Sequence, residues 1–144
     1  MLKLGIDIGG TKVESVLLSQ SGSVLARKRV PTESEKGLQH ILDVVKSVAT
    51  DVLKGVNTDY TIGIGAPGSV SLTSNLHRNS NTLCLNDVPL KGLIEEKLER
   101  KVWLENDANC FTLAEAVYGA GKNHRVVFGV ILGTGCGGGI SIDS

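Results

Sequence analysis

A chain of 144 residues, 41% of them hydrophobic and 21% charged, has room for one ordinary soluble domain and is short for two. Its fifteen basic residues balance fifteen acidic ones, which excludes the charge signature of a nucleic-acid or anionic-membrane partner. The anomaly is glycine, 18 residues against 3 prolines, one Trp, two Tyr and two Phe, and these glycines gather where predicted strands end.

The first predicted element is a buried strand over residues 2–8. Asp7 interrupts its apolar run, which a cleaved export signal needs unbroken, so the expected location is the cytoplasm. Gly9-Gly10-Thr11 turns the chain into a second strand over 13–18. Ser21-Gly22 turns it again, into a third strand over 24–30 whose charges alternate outward. Thr32 and Glu35 have the spacing of a capping box and predict a helix beginning there. That helix lines up Leu38, Ile41, Leu42, Val45, Val48, Ala49 and Val52 at the 3.6-residue period and stops at Gly55. A fourth strand over 60–66 runs into Pro67-Gly68.

Residues 69–88 are polar and irregular, a long loop of the kind that often carries function. A short helix over 89–100 and a strand over 102–105 follow. Asn106 or Asp107 then caps a helix to about Gly119, with Leu113, Ala114, Val117 and Tyr118 as its apolar side. The run at 126–132 reads as a strand buried on both faces, and it is far short of the roughly 18 residues of a membrane span. It opens into Gly133-Thr134-Gly135-Cys136-Gly137-Gly138-Gly139 and a return strand at 140–142. Cys84, Cys110 and Cys136 are odd in number and far apart, so neither a disulfide framework nor a zinc ribbon is expected. His40, His77 and His124 lack metal-ligand spacing and read as surface residues, and Trp103 reads as core.

Three strands before the first helix exclude a Rossmann order and predict a mixed sheet with a leading antiparallel meander and helices on both faces. Gly63-Ile64-Gly65-Ala66-Pro67-Gly68 and Gly133-Thr134-Gly135-Cys136-Gly137-Gly138 satisfy GxGxxG in letters only, because strand-like residues follow both where a helix must open. The stretch 5–11 lines up with 129–135, an apolar strand breaking into glycines each time. This weak repeat predicts a first domain over 1–122 and, over 123–144, the opening hairpin of a second domain that is cut short.

A glycine turn between strands gathers backbone N–H groups where no Cβ blocks a phosphate. Each turn alone reads first as an ordinary hairpin. Two matched turns, one preceded by Asp7 and followed by Thr11-Lys12, favour a grip on a nucleoside triphosphate. Asp7 in an apolar strand is costly to bury, and it either caps the turn or holds a hydrated Mg²⁺. Glu105-Asn106-Asp107-Ala108-Asn109 joins a strand end to a helix start. There Asn106 and Asp107 are either helix caps or a hydroxyl ligand and a general base.

These segments stand in a familiar order: Asp7-Ile8-Gly9-Gly10-Thr11-Lys12, Gly65-Ala66-Pro67-Gly68, Glu105-Asn106-Asp107-Ala108-Asn109-Cys110, and Leu132-Gly133-Thr134-Gly135-Cys136-Gly137-Gly138-Gly139. Over essentially its whole length the chain resembles the ROK family of sugar kinases and repressors. That resemblance implies an α/β, actin-like (hexokinase-type) ATPase domain with a ribonuclease H-like, mixed five-stranded sheet. It implies that Asp7, Gly9, Gly10, Thr11 and Lys12 form the first phosphate motif, with Mg²⁺ held by Asp7 through water. Gly133, Thr134, Gly135 and Gly137 match the second motif. Asp107 matches the catalytic base, Asn106 and Asn81 the sugar-hydroxyl ligands, and Gly68 the loop lining the sugar pocket.

The implied reaction moves the γ-phosphoryl of ATP to a hexose hydroxyl. Residues 78–82 and Pro31-Thr32 look most like the fructokinase branch, with the N-acetylglucosamine kinases next. A sugar-responsive regulator is the weaker expectation, because the family's repressors place a helix-turn-helix ahead of a strand that starts here at Leu2. The family's Glu-x-Gly-His segment and His/Cys₃ zinc site do not occur in these residues. Zinc is therefore expected only in a C-terminal half, and this portion alone is expected to lack turnover. A homodimer is expected, with no nucleic acid and no membrane as partner.

Overall fold

The structure, a computed structural model, describes residues 1–132 and 136–143. It divides into two compact units, Met1–Leu104 and Glu105–Ser144. The boundary expected near residue 122 falls inside the second unit.

In the first unit, β1 (Leu2–Ile8), β2 (Lys12–Leu18) and β3 (Val24–Pro31) form the expected antiparallel meander. Alternation sends Leu4, Ile6 and Ile8 inward and leaves Asp7 exposed on the other face. The sequence-based concern that Asp7 would be buried is thereby removed. After helix α1 (Leu38–Val52) comes β4 (Tyr60–Ala66), which pairs parallel to β1 and sets Gly65 beside Asp7. The loop that follows holds a two-residue ladder, β5 (Ser69–Val70) with β6 (His77–Arg78), and a 3₁₀ turn at Leu83–Leu85. Helix α2 (Leu90–Leu98) leads to β7 (Trp103–Asn106), and the sheet order is β3-β2-β1-β4-β7.

Ile41, Leu42, Val45, Val48, Ala49 and Val52 of α1 are buried at the predicted period, in one cluster with Leu90 and Ile94 of α2 and the inward residues of β1, β2 and β4. Fully burying side chains of this size stabilises by roughly 1.5–3 kcal/mol each, which makes this cluster the main support of the unit. Three expectations change here. Thr32 does not cap α1, which begins at Leu38 behind Gly37 with no side-chain cap. The β2–β3 ladder ends at Lys12 and Pro31, so Thr32 arrives beside the first turn and is completely buried there. Trp103 is not core but 65% exposed, because the alternation gives the inward position to Val102. His77 is not on the surface but 2% exposed, enclosed by the loop that was expected to be irregular.

In the second unit, α3 (Asp107–Tyr118) packs on a hairpin of β8 (Val126–Leu132) and β9 (Cys136–Ile142). The buried side of α3 is Ala108, Thr112 and Ala116; of the predicted Leu113, Ala114, Val117 and Tyr118, Val117 is half-buried and the other three are exposed. Glycine explains the choice. A Cβ on Gly139 would lie 2.6 Å from Thr112 Oγ1 and 2.9 Å from the Ala108 carbonyl oxygen, so the helix seats its small residues on bare backbone. The alternate residues Val126, Phe128, Val130, Ile140 and Ile142 are 47–68% exposed, so within this unit β8 is covered on one face rather than two.

Candidate functional site

The first unit gathers one group of the candidate residues at the carboxyl ends of β1 and β4. The backbone closes the 9–12 turn on itself, with the Gly9 N–H donating to the Lys12 carbonyl at 2.9 Å. A Cβ on Gly9 would stand 2.9 Å from that same oxygen, so the turn requires glycine there. Gly10, Thr11 and Lys12 are exposed. Thr32 holds the turn from beneath: its hydroxyl donates to the Gly9 carbonyl at 2.6 Å, and its N–H donates to the Thr11 carbonyl at 3.0 Å. Sequence reasoning missed this role, which follows from ladder register rather than from any local motif.

Gly68 stands at φ +97°, a conformation that costs a side chain strain, and a Cβ there would be 2.5 Å from the Arg78 carbonyl oxygen and 2.9 Å from the Ser80 nitrogen. The Pro67-Gly68 turn is thus pressed against the loop carrying Asn81. Asn86 stabilises that loop by a reciprocal pair, accepting from the Ser80 N–H and donating to the Ser80 carbonyl, both at 2.9 Å. Asn81 is exposed, and its neighbour Thr82 is buried close to the glycine turn, where a Cβ on Gly10 would lie 3.5 Å from Thr82 Oγ1. Asp7, residues 9–12, Gly68 and Asn81 therefore share one end of one sheet.

Beside Asp7 in the ladder stands Glu14, and opposite Glu14 stands Arg29. Glu14 is bound by both Arg27 and Arg29. Burial is the largest single influence and pushes its carboxyl up, but the two guanidinium groups together outweigh it and hold it below the usual range. Among the described residues no group of three or more His, Cys, Asp or Glu could cage a metal. The exposed carboxylate of Asp7 has the chemistry that would hold a hydrated Mg²⁺ through water.

The second unit holds the other group. Asn106 is the N-cap of α3, its Oδ1 accepting from the N–H groups of Ala108 at 3.0 Å and Asn109 at 3.2 Å. Asp107 is half-buried, and its Oδ1 accepts from the Ala108 N–H at 2.8 Å. Glu105 Oε1 accepts from the Asn106 N–H at 2.7 Å and from Asn109 Nδ2 at 3.1 Å. The cap takes up Asn106 Oδ1, and the Ala108 N–H also meets Asp107 Oδ1. Gly137, in β9, lies against Ala108, whose Cβ would be 3.5 Å from a Cβ added to the glycine. Gly133, Thr134 and Gly135 lie outside the described residues.

No described helix is long and apolar enough to cross a membrane. The model of the ROK family matches residues 3–144. The chain is 36% identical over 138 residues to a glucokinase of Thermotoga maritima, covering 95% of this chain and 43% of that protein. It is 37% identical over 142 residues to an N-acetyl-D-glucosamine kinase of Haemophilus influenzae, covering 96% and 45%. It thus spans less than half the length of these relatives. A ROK family glucokinase from Streptomyces griseus, solved with glucose and AMPPNP, superposes with a TM-score of 0.84 at 32% identity, over 99% of this chain and 45% of that one. An inorganic polyphosphate/ATP-glucomannokinase from an Arthrobacter strain gives 0.83 at 30% identity, over 99% and 58%. Motifs, sheet order and relatives agree: the chain belongs to the ROK family and has the actin-like, hexokinase-type α/β fold of its sugar kinases.

Proposed function

We propose that this chain is the N-terminal portion of an ATP-dependent hexose kinase. The observation that supports the reading is the approach of the Gly9–Lys12 turn to the loop bearing Asn81, where we assign the phosphate cradle and a hydroxyl ligand. The relatives solved or named as sugar kinases support it. We assign residues 1–122 to the first domain and 123–144 to the opening hairpin of a second. We assign the whole enzyme to the cytoplasm as a homodimer.

In the reaction, Gly9, Gly10, Thr11 and Lys12 receive phosphate oxygens of ATP on backbone N–H groups and the Lys12 ammonium. Gly133, Thr134, Gly135 and Gly137 are assigned to a second such contact. Mg²⁺, when bound, offsets charge on the phosphates, and Asp7 is the residue that would hold it through water. Asn81, Asn106 and the Gly68 loop orient the hexose. Asp107 takes the proton of the attacking hydroxyl on Oδ2, while the Ala108 N–H steadies Oδ1. Transfer of a phosphoryl group depends chiefly on positioning and charge, and a carboxylate base of this kind contributes about 10²–10⁴-fold.

For the sugar, residues 79–82 support fructose, with mannose beside it. The glucokinase and N-acetylglucosamine kinase relatives favour a second reading, glucose or its N-acetyl derivative. We assign no turnover to the 144-residue portion alone. The experiment therefore joins residues 1–144 to the part of the Streptomyces griseus glucokinase that follows its matching segment. A coupled ADP assay then compares kcat/KM for fructose, mannose, glucose and N-acetylglucosamine. Our reading expects fructose or mannose to lead N-acetylglucosamine by about tenfold or more, because an acetamido group needs room and a polar partner. A lead for N-acetylglucosamine overturns the sugar assignment and leaves the kinase reading standing.

A further inference from the structure

His77 is the one buried titratable group in the loop, and the chemistry proposed above does not use it. Three bonds tie it in place. Its N–H donates to the Val88 carbonyl at 2.8 Å, its carbonyl accepts from the Asp87 N–H at 2.7 Å, and its ring Nε2 lies 2.7 Å from the Pro67 carbonyl oxygen. A carbonyl oxygen only accepts, so Nε2 carries the proton and donates. Nδ1 is buried and meets no hydrogen-bond partner among the described residues. An apolar side chain of similar size would fill this space without leaving a nitrogen unpaired. What the imidazole adds, and such a side chain could not, is the single bond to Pro67.

That bond is placed where it matters. The Pro67 carbonyl belongs to the peptide that leads into Gly68, and Gly68 is the residue pressed against Arg78 and Ser80. The β5–β6 register sets Ser69 opposite Arg78 and Val70 opposite His77, so the ring braces the two ends of this short ladder from inside. Ser80 continues the chain of contacts, since its Oγ accepts from the Thr82 N–H at 3.1 Å across Asn81.

We propose that His77 is a positioning residue, fixing the Gly68 turn to the loop that carries Asn81 and thereby setting the hexose contacts of this unit. The identity of the ligand rests on the hexose-kinase reading; the brace itself does not.

The test uses the ¹⁵N-labelled 144-residue chain, with fructose, glucose and AMPPNP as probes. Long-range imidazole correlations in the wild type should show His77 as the Nε2–H tautomer. His77→Leu should speed amide exchange over residues 68–82 and weaken hexose binding, each by about tenfold, as the loss of one buried hydrogen bond implies. His77→Gln can return an N–H donor to Pro67 and should stay within about threefold of wild type. AMPPNP affinity should not move in either variant, and the amides of α1 should keep their protection, which separates positioning from general unfolding. Should the leucine variant lose α1 protection as well, the tautomer and the glutamine variant decide. An Nδ1–H tautomer overturns the proposal, as does glutamine as damaging as leucine, or leucine without effect on loop and hexose. If the wild-type chain alone binds no hexose, the affinities are read on residues 1–144 joined to the second half of the Streptomyces griseus glucokinase, while tautomer and exchange decide the role of His77 in the chain itself.

Discussion

Gly68 joins fold and site at a single residue. With φ at +97° and a Cβ position 2.5 Å from the Arg78 carbonyl oxygen, even alanine forces the turn away from its partner loop. Gly68→Ala is expected to cost about 1–3 kcal/mol of stability, read as a lowered urea midpoint at constant slope. An unmoved midpoint would show that the turn relaxes freely. That a strand closes at Pro67-Gly68 was legible, but the contacts with Arg78 and Ser80 that demand glycine at 68 were not. His77 was not legible, because nothing periodic surrounds it and its burial comes from a loop folding back on Val88 and Pro67. Trp103 was not legible as exposed because the neighbouring Val102 holds the inward register.

Among the elements, the β1–β3 meander carries its own electrostatic support. Arg27 and Arg29 alternate along β3 and converge on Glu14 of β2, so an edge strand rich in charge is tied down rather than left open. The folded Glu14 carboxyl titrates below its ordinary value of 4.5, the guanidiniums overcoming the opposing effect of burial. Its contribution is therefore complete above about pH 4.5 and disappears as the pH falls through the lowered folded value. Glu14→Gln should cost about 1 kcal/mol or less at neutral pH, since both arginines remain half exposed. The difference from wild type should shrink as denaturation is repeated at increasingly acid pH. A gap that widens toward acid would reverse the sign of the argument. The period of α1 was fully readable because six apolar residues share one side. The buried side of α3 was misread because the glycines of the facing strands select small residues, a signal visible only when Ala108 and Thr112 are set against Gly129 and Gly139.

For the molecule as a whole, the sequence order of strands and the four motifs made the fold class readable, while the seat of each side chain depended on partners distant in sequence. One consequence is physical and immediate. The hairpin of the second unit shows Val126, Phe128, Val130, Ile140 and Ile142 to solvent, an apolar face of the kind that drives association. The 144-residue chain should therefore sediment as dimers or larger species at micromolar concentration, and Phe128→Lys should shift it toward monomer. A strictly monomeric wild type would show that this face is tolerated in water. Hexose-dependent ADP release by residues 1–144 joined to the second half of the Streptomyces griseus glucokinase, with Asp107 and with Asp107→Asn, tests the assigned chemistry. Asparagine preserves shape and the Ala108 contact but cannot accept a proton. Turnover is expected with aspartate, and a loss of about 10²-fold or more in kcat with asparagine, hexose affinity by calorimetry being little changed. An asparagine variant that keeps more than about a tenth of the rate would contradict this expectation and move the base elsewhere, with Glu105 the next carboxylate to test.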